Sequence, residues 1–212
     1  MLGDGALTFR EFAMREPLPL ATIHDAVLEF LRGRDDAVLF GAQAVNAYVD
    51  EPRMTQDVDI LSPRAKELAE EIRSFLNQRF NIAVRARIIR NGIGYRLYQV
   101  RKPKNRHLVD VRSVDCMPPH QRLEDVLVLT PEELIASKVL SMISRPKTAK
   151  GLTDAADLRR LLLAFPKLKT EFGLVRDRLL AASADLPAFK TWKETVAQEI
   201  LPEDEDAEFG DA

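Results

Sequence analysis

The first sixty residues mix helical and extended hydrophobic patterns. Apolar residues recur at helical spacing over residues 20–31, which predicts a helix that stops before Gly33. The wholly apolar run at residues 37–40 predicts a short buried strand, and residues 42–49 have the pattern of a short helix. A second short strand is predicted at residues 58–61. This part of the chain is therefore predicted to combine strands with helices.

The middle of the chain changes from helical to alternating periodicity. Ser62 as a cap and Pro63 at the first helical position predict a helix that runs to about Arg79. From residue 82 to residue 114 apolar and polar positions alternate, as they do in half-buried strands. Asn91-Gly92 within this segment is a hairpin signal. Strands are therefore expected to dominate the middle of the chain.

Beyond residue 129 the pattern is helical almost throughout. Helices are predicted at residues 131–143, with Thr130 as the cap, and at residues 154–163, 171–182 and 187–200. The predicted fold class is α+β, with a small mixed β-sheet of about four to five strands packed against helices and followed by an all-helical C-terminal domain.

The predicted domain boundaries follow from these patterns and from Pro118-Pro119. Residues 1–117 are assigned to the sheet-containing core and residues 118–202 to the helical domain. Residues 203–212 form an acidic tail that we expect to be disordered.

Composition excludes several classes of protein. The 212-residue chain is 46% hydrophobic and 30% charged with a formal net charge of -2, as in soluble globular proteins. Its one cysteine, Cys116, excludes an intrachain disulfide and a zinc site built on several thiolates. No apolar run approaches the roughly 18 residues of a membrane span, and no signal pattern begins the chain, so we expect a cytoplasmic protein without a membrane partner. Cys116, His24 and Trp192 are interpreted as buried core residues.

The charge is unevenly distributed. Residues 81–114 contain nine Lys or Arg residues and one acid, Asp110, whereas the last ten residues are strongly acidic. A basic segment of this kind is typical of a surface that binds an anion. Long basic side chains that only keep exposed strands solvated would give the same pattern, and charge alone leaves both interpretations open.

The candidate chemistry begins with Asp57-Val58-Asp59. On a strand both carboxylates point to one side, roughly 7 Å apart along the chain. Two carboxylates placed together repel each other unless a cation neutralises them, and oxygen ligands suit Mg²⁺ or Mn²⁺ better than zinc. An ordinary exposed pair of aspartates on an edge strand is the alternative.

Two further features support a phosphate-handling site. Gly41 and Ala42 lie where a predicted strand turns directly into a helix, and a glycine there allows close approach of a ligand to the backbone. Asp110 is a third carboxylate on a later predicted strand. Strand-borne carboxylates beside such a turn are what metal-assisted phosphoryl transfer requires.

The order of these residues resembles that of the polymerase-β-like nucleotidyltransferases, and within them the branch of AbiEii-type toxins. The glycine turn at Gly41 is followed by an Arg-x-Thr formed by Arg53 and Thr55, and then by the Asp-x-Asp. Lys138 and the Asp-x-x-Asp-Leu segment at Asp154 match later features of the family. The resemblance covers roughly residues 37–163.

The resemblance implies a specific enzyme. It would move a nucleoside monophosphate from a nucleoside triphosphate to a hydroxyl acceptor, with Mg²⁺ or Mn²⁺ as cofactor and tRNA or another RNA as a candidate acceptor. It also implies a toxin whose partner is a cognate antitoxin.

The resemblance also implies roles for particular residues. The metal-binding acids would be Asp57, Asp59 and Asp110, and Lys138 would join them in catalysis. Substrate would be bound by six residues: Gly41, Ala42, Arg53, Thr55, Asp154 and Asp157.

Two alternatives remain open at this point. Ala42 stands where relatives carry glycine or serine, which is compatible with a catalytically degenerate fold that binds a protein or RNA partner. Modification of a small molecule such as an aminoglycoside is the other alternative.

Overall fold

A computed structural model describes residues 18–89 and 92–202 of the chain, which divides into two compact units after Thr130. The predicted acidic tail at 203–212 and Asn91 of the hairpin signal lie outside the described residues. The division falls later than the predicted boundary at residue 117. Two strands between Pro119 and Thr130 pair with the sheet, so this segment belongs to the sheet-containing unit.

In the described residues of the unit that ends at Thr130 there are short strands and three α-helices. Its helices are α1 (Leu20–Leu31), α2 (Gly41–Asn46) and α3 (Ala65–Phe80). Its strands are β1 (Val38–Phe40), β2 (Val58–Ser62), β3 (Val84–Ile89), β4 (Gly94–Gln99), β5 (Arg106–Ser113), β6 (His120–Leu123) and β7 (Val126–Leu129).

All seven strands form one mixed sheet in the order β3-β4-β5-β2-β1-β7-β6. β2 pairs in parallel with β5, β1 pairs in parallel with β7, and the remaining pairs are antiparallel. The α+β class predicted from the sequence is confirmed. The sheet is larger than the predicted four to five strands because β6 and β7, which sequence analysis placed in the helical domain, extend it beyond β1.

The alternation of side chains on β2 gives the sheet two different faces. Val58, Ile60 and Ser62 are buried, whereas Asp59 and Leu61 are half-buried. Helices α1 and α3 pack against the sheet and cover its apolar side chains. The acidic residue of β2 therefore projects from the less buried face.

The start of α3 differs from its prediction. Ser62 is the last residue of β2, where its hydroxyl accepts a hydrogen bond from the Arg64 amide, and the helix begins at Ala65. Ser62 therefore stabilises the turn between strand and helix rather than capping a helix that starts at Pro63. The predicted burial of Cys116 is also wrong, because this side chain is exposed. His24 is buried in α1, as predicted.

The second unit contains four α-helices among its described residues: α4 (Pro131–Ser144), α5 (Ala149–Ala164), α6 (Leu174–Ala181) and α7 (Leu186–Ala197). Helix α4 packs against each of the other three. Trp192 of α7 is buried in the core of this unit, as its helical spacing predicts. No helix in the described ranges is long and apolar enough to cross a bilayer.

Candidate functional site

Three strands carry acidic and basic residues in one row across the sheet. Asp59 of β2 is in register with Asp110 of β5, and Arg96 of β4 is in register with Asp110 from the other side. In-register neighbours on adjacent strands share a face of the sheet. Two carboxylates predicted from distant parts of the sequence therefore lie side by side, with an arginine next in the row.

A β-bulge brings His107 to the same face. Leu97 pairs with Val109, whereas Tyr98 pairs with His107, so β5 holds one residue more than β4 between these pairs. Residues three apart on a regular strand face opposite sides, but the extra residue reverses the alternation and places His107 with Asp110. Sequence analysis missed this histidine because no hydrophobic pattern indicates the bulge.

His107 lies between two of the predicted metal-binding carboxylates. Its Nδ1 is 3.1 Å from Asp57 Oδ2, and its Nε2 is 2.9 Å from Asp110 Oδ1. Within the described ranges these three residues form the one group of three or more His, Cys, Asp and Glu side chains whose ligand atoms lie within 4.8 Å of one another. Two carboxylate oxygens and an imidazole nitrogen at these separations suit a divalent ion.

Asp110 is the most deeply buried acid of the cluster, with 4% of its surface exposed. Arg96 holds both of its oxygens, with Nε 2.9 Å from Oδ1 and Nη2 2.8 Å from Oδ2. Burial raises the pKa of the Asp110 carboxyl, but hydrogen bonds from Arg96 and His107 outweigh burial and hold this pKa well below its usual range. Asp110 is therefore a fixed negative charge on this face.

Gly41 packs directly against the Asp59 carboxylate. Its φ is +71°, and a Cβ atom built on it would lie 2.2 Å from Asp59 Oδ2. Asp59 Oδ1 is 3.7 Å from Nη2 of Arg112, whose guanidinium lies over the Phe40 ring. A glycine is required at this position because the Asp59 carboxylate packs against its backbone. From the sequence alone, a ligand is expected to make this close approach. Ala42 follows as the second residue of α2 and is half-buried.

The loop that leads to Asp57 is fastened to α2 by Asn46. The Asn46 amide donates to the Arg53 carbonyl at 2.8 Å and accepts from the Arg53 backbone N–H at 3.1 Å. The Arg53 guanidinium donates to the Met54 carbonyl, and the buried Thr55 hydroxyl has no hydrogen-bond partner in the described part of the chain. The Asn46 bridge is a positioning feature that sequence analysis missed.

The basic strands contribute to the same face. Arg85 and Arg87 alternate along β3 and are exposed, and Arg87 is in register with Arg96. Arg106 instead donates to the Leu18 carbonyl. Four of the basic residues in this segment therefore share the face that carries the acidic cluster: Arg85, Arg87, Arg96 and Arg112. The first three are exposed, and Arg112 is half-buried.

Comparison with known protein families decides the assignment. Residues 25–211 match the family described as nucleotidyl transferase AbiEii toxin, type IV TA system. The chain belongs to this family. The matched range includes all the residues proposed above for metal and substrate binding. Among proteins with curated descriptions, none matches the chain by sequence.

Two solved structures have a fold similar to that of this chain. The Megavirus polyadenylate synthase has a TM-score of 0.55 and 12% sequence identity, with 74% of this chain and 34% of that protein covered. JHP933 from Helicobacter pylori has a TM-score of 0.55 and 15% identity, with 90% of each chain covered. The chain spans about a third of the length of the polyadenylate synthase. At these identities the likeness shows the fold alone.

The later residues of the AbiEii resemblance form a separate cluster in the helical unit. Lys138 Nζ lies 2.6 Å from Asp157 Oδ2 and 3.1 Å from Asp154 Oδ1. Arg145 donates to the other oxygen of Asp154 through Nε and Nη2. Helix α5 begins at Ala149, earlier than predicted, so both aspartates lie inside the helix, one turn apart.

Lys138 is not the solvent-facing helix lysine that its sequence position also allows. It is 5% exposed, Asp154 is 4% exposed and Asp157 is fully buried. The catalytic and substrate-binding roles of these three residues stay predictions, because the contacts of this unit show them bound to one another.

Proposed function

We propose that this chain transfers a nucleoside monophosphate from a nucleoside triphosphate to a hydroxyl acceptor, with release of pyrophosphate. The observation that carries the proposal is the meeting of Asp57, Asp59 and Asp110 on one face of the sheet, with the backbone of Gly41 packed against Asp59. Membership of the AbiEii family supplies the reaction class.

The proposed roles follow from the side-chain environments. Asp57, Asp59 and Asp110 would hold Mg²⁺ or Mn²⁺, which would neutralise phosphate oxygens and so favour attack at phosphorus. Because its pKa is held low by Arg96 and His107, Asp110 keeps the ionised form that accepts a hydrogen bond from an acceptor hydroxyl. Arg96 fixes the direction of that carboxylate.

The triphosphate would bind beside Asp59. The backbone of Gly41 packs against the Asp59 carboxylate, and because glycine has no Cβ no side chain covers the backbone there. Ala42 is assigned to the same substrate as the residue that follows Gly41 in α2. We assign Arg53 and Thr55 to the same substrate, since they lie on the loop that Asn46 fastens ahead of Asp57. For Lys138 a role in catalysis, and for Asp154 and Asp157 a role in substrate binding, are proposed from the family pattern alone.

The direct test is incorporation of labelled nucleotide. Full-length protein with Mg²⁺ or Mn²⁺ should label total tRNA, another RNA or a protein, and the double variant Asp57→Asn with Asp59→Asn should abolish labelling and metal-dependent nucleotide binding in calorimetry. Asp50→Asn, which changes an exposed acid, serves as the matched control. Equal nucleotide binding by the double variant and the wild type would place the site elsewhere.

A catalytically degenerate fold is the second candidate. The observation in its favour is that the cluster is partly satisfied by the chain's own cationic groups, since Arg96 holds both oxygens of Asp110 and His107 bridges Asp57 to Asp110. A folded wild-type protein that binds RNA or a protein partner but transfers no nucleotide with any nucleoside triphosphate would establish this candidate.

We propose RNA, with tRNA as the first choice, as the acceptor. The exposed Arg85 and Arg87 lie on the acidic face without a carboxylate opposite them in the register. Arg87 is instead opposite Arg96, and like charges directly opposite each other on neighbouring strands are destabilising, so an anion bound over this pair would be favourable. The toxin role and a cognate antitoxin are proposed from the family, and growth arrest that a co-expressed neighbouring gene relieves would test them.

Salt dependence tests the RNA acceptor. Neutralised phosphates release counterions, so tRNA binding should weaken linearly with the logarithm of salt concentration, and the variant Arg85→Gln with Arg87→Gln should have a slope smaller by about 2. A control with Lys66→Gln and Lys190→Gln removes the same charge from exposed positions elsewhere. Weak binding that ignores both salt and the arginine substitutions would end the RNA assignment and leave the transfer chemistry standing.

A further inference from the structure

We propose that His107 is a direct ligand of the divalent ion beside Asp57, and that this nitrogen ligand makes the site prefer Mn²⁺ over Mg²⁺. The inference rests on the proposed function, because it concerns the ion of that same site. It adds a residue that the family pattern of three carboxylates does not contain.

The spacing of the side chains supports the ligand role. Neighbouring ligands around an octahedral ion, each about 2.1 Å from it, are separated by about 3.0 Å. His107 Nδ1 and Asp57 Oδ2 lie 3.1 Å apart, which is the separation of such a pair. The imidazole is 27% exposed, so one side of the pair remains open to solvent.

The second ring nitrogen is held in the way that metal-binding histidines require. His107 Nε2 lies 2.9 Å from Asp110 Oδ1, and Arg96 in turn holds both oxygens of that carboxylate. A carboxylate that accepts the N–H of one ring nitrogen orients the ring and directs the lone pair of the other nitrogen towards a metal. For the ion at Asp57, this replaces the direct ligand role proposed above for Asp110: Asp110 orients the His107 ring, and Arg96 keeps Asp110 in place.

The charges around the cluster explain the expected choice of metal. Arg96 pairs with Asp110, and Arg112 lies 3.7 Å from Asp59, so two of the three acids already have a cationic neighbour. The purely electrostatic attraction for a hard ion such as Mg²⁺ is reduced by these arginines. An imidazole nitrogen favours transition metals over Mg²⁺. Its contribution to the choice of metal is therefore larger at this site than it would be among three carboxylates without cationic neighbours.

The bulge on β5 is the structural feature that makes the inference specific. It is the one register shift in the pairing of β4 with β5, and it places His107 on the acidic face. Bulges commonly redirect a single side chain next to a functional site. A histidine with no role in the acidic cluster would not need the bulge that turns its side chain to the face of Asp110.

The experiment uses Mn²⁺ alone as the probe, with full-length protein and no nucleotide. Pulsed electron paramagnetic resonance detects ¹⁴N nuclei bonded to Mn²⁺, and titration of the free Mn²⁺ signal gives the affinity. We expect ¹⁴N modulation in the wild type, its loss in His107→Asn, and an affinity for Mn²⁺ at least about tenfold lower in that variant. The preference for Mn²⁺ over competing Mg²⁺ should shrink in the same variant.

The control is His120→Asn. His120 is another histidine of the same unit, it is exposed, and its ring is hydrogen-bonded to the Pro118 carbonyl. It should keep both the ¹⁴N modulation and the affinity, and circular dichroism of both variants should match that of the wild type. If Mn²⁺ binds the wild-type protein in a manner that depends on Asp57 but shows no ¹⁴N modulation, the role of His107 is overturned while the transfer reaction stands. Conversely, ¹⁴N modulation in a protein that transfers no nucleotide would uphold the ligand assignment and refute the proposed function.

Discussion

The two units of this chain each contain a cluster of aspartates with basic partners, and the clusters differ in what their acids can still bind. In the helical unit Lys138 and Arg145 saturate Asp154, and Lys138 also pairs with the fully buried Asp157. In the sheet unit Asp57 and Asp59 keep 19% and 15% of their side-chain surface exposed.

The secondary structure explains this difference. Helical positions three apart present both aspartates of α5 to one lysine, so the helical cluster closes on itself. Parallel strands instead place acids of β2 and β5 side by side, and their arginine and histidine neighbours leave Asp57 and Asp59 partly exposed to a cation. The contacts of the helical cluster thus stabilise its unit, whatever part its residues also take in the proposed reaction, whereas the sheet cluster is suited to binding a metal.

Breaking the helical cluster should have the largest effect on stability. Lys138→Met leaves two buried carboxylates without their shared cation, and removal of one partner of a buried ion pair costs about 3–5 kcal/mol. Urea unfolding followed by far-ultraviolet circular dichroism should show this loss, whereas Asp57→Asn should change stability far less. A Lys138→Met protein as stable as the wild type would contradict the structural role.

Two glycines sharpen the comparison further. A Cβ on Gly41 would lie 2.2 Å from Asp59 Oδ2, whereas one on Gly151 would lie 2.1 Å from the Arg145 carbonyl oxygen. Each Gly→Ala change should therefore destabilise its own unit, by about 1–3 kcal/mol at Gly41 because of its positive φ. Gly41→Ala should also displace Asp59 and weaken Mn²⁺ binding, which Gly151→Ala should leave unchanged. Calorimetric titration with Mn²⁺ compares the two variants. Equal losses of Mn²⁺ affinity in Gly41→Ala and Gly151→Ala would contradict the assignment of metal binding to the sheet cluster.

The smallest expected effect comes from a surface cluster of the sheet unit. Arg34 and Arg64 both bind Asp36, and the hydrogen bonds from Arg34 lower the pKa of this carboxyl. A lowered pKa contributes stability at neutral pH that is lost as the pH falls through the folded-state value. Asp36→Asn should cost under about 1 kcal/mol at pH 7.

The pH profile provides the check on this surface cluster. The difference between wild type and Asp36→Asn should shrink below about pH 4, near the ordinary pKa of aspartate, in unfolding curves measured from pH 7 to pH 3. Asp50→Asn, at an exposed position, is the control. A difference that grows as the pH falls would contradict the assigned sign.

Helices and strands with strong periodicity were predictable because their patterns are local. The bounds of α1 match the prediction, and β2 and α4 lie within one residue of theirs. The strands β6 and β7 were not assigned to the sheet, because pairing of β7 with β1 depends on Leu39 and Val128, which lie far apart in sequence. Local periodicity carries no information about which strands will pair.

The sequence by itself determined the class of fold, the acids at Asp57, Asp59 and Asp110, and the glycine before them, because each rests on residue type and short spacing. Only the tertiary structure decided what these residues touch. A single extra residue on β5 reverses the alternation and adds His107 to the acids, and the register of β4 closes Arg96 onto Asp110. Strand register is set by contacts between segments distant in sequence, and it alone converts separate candidate residues into one site.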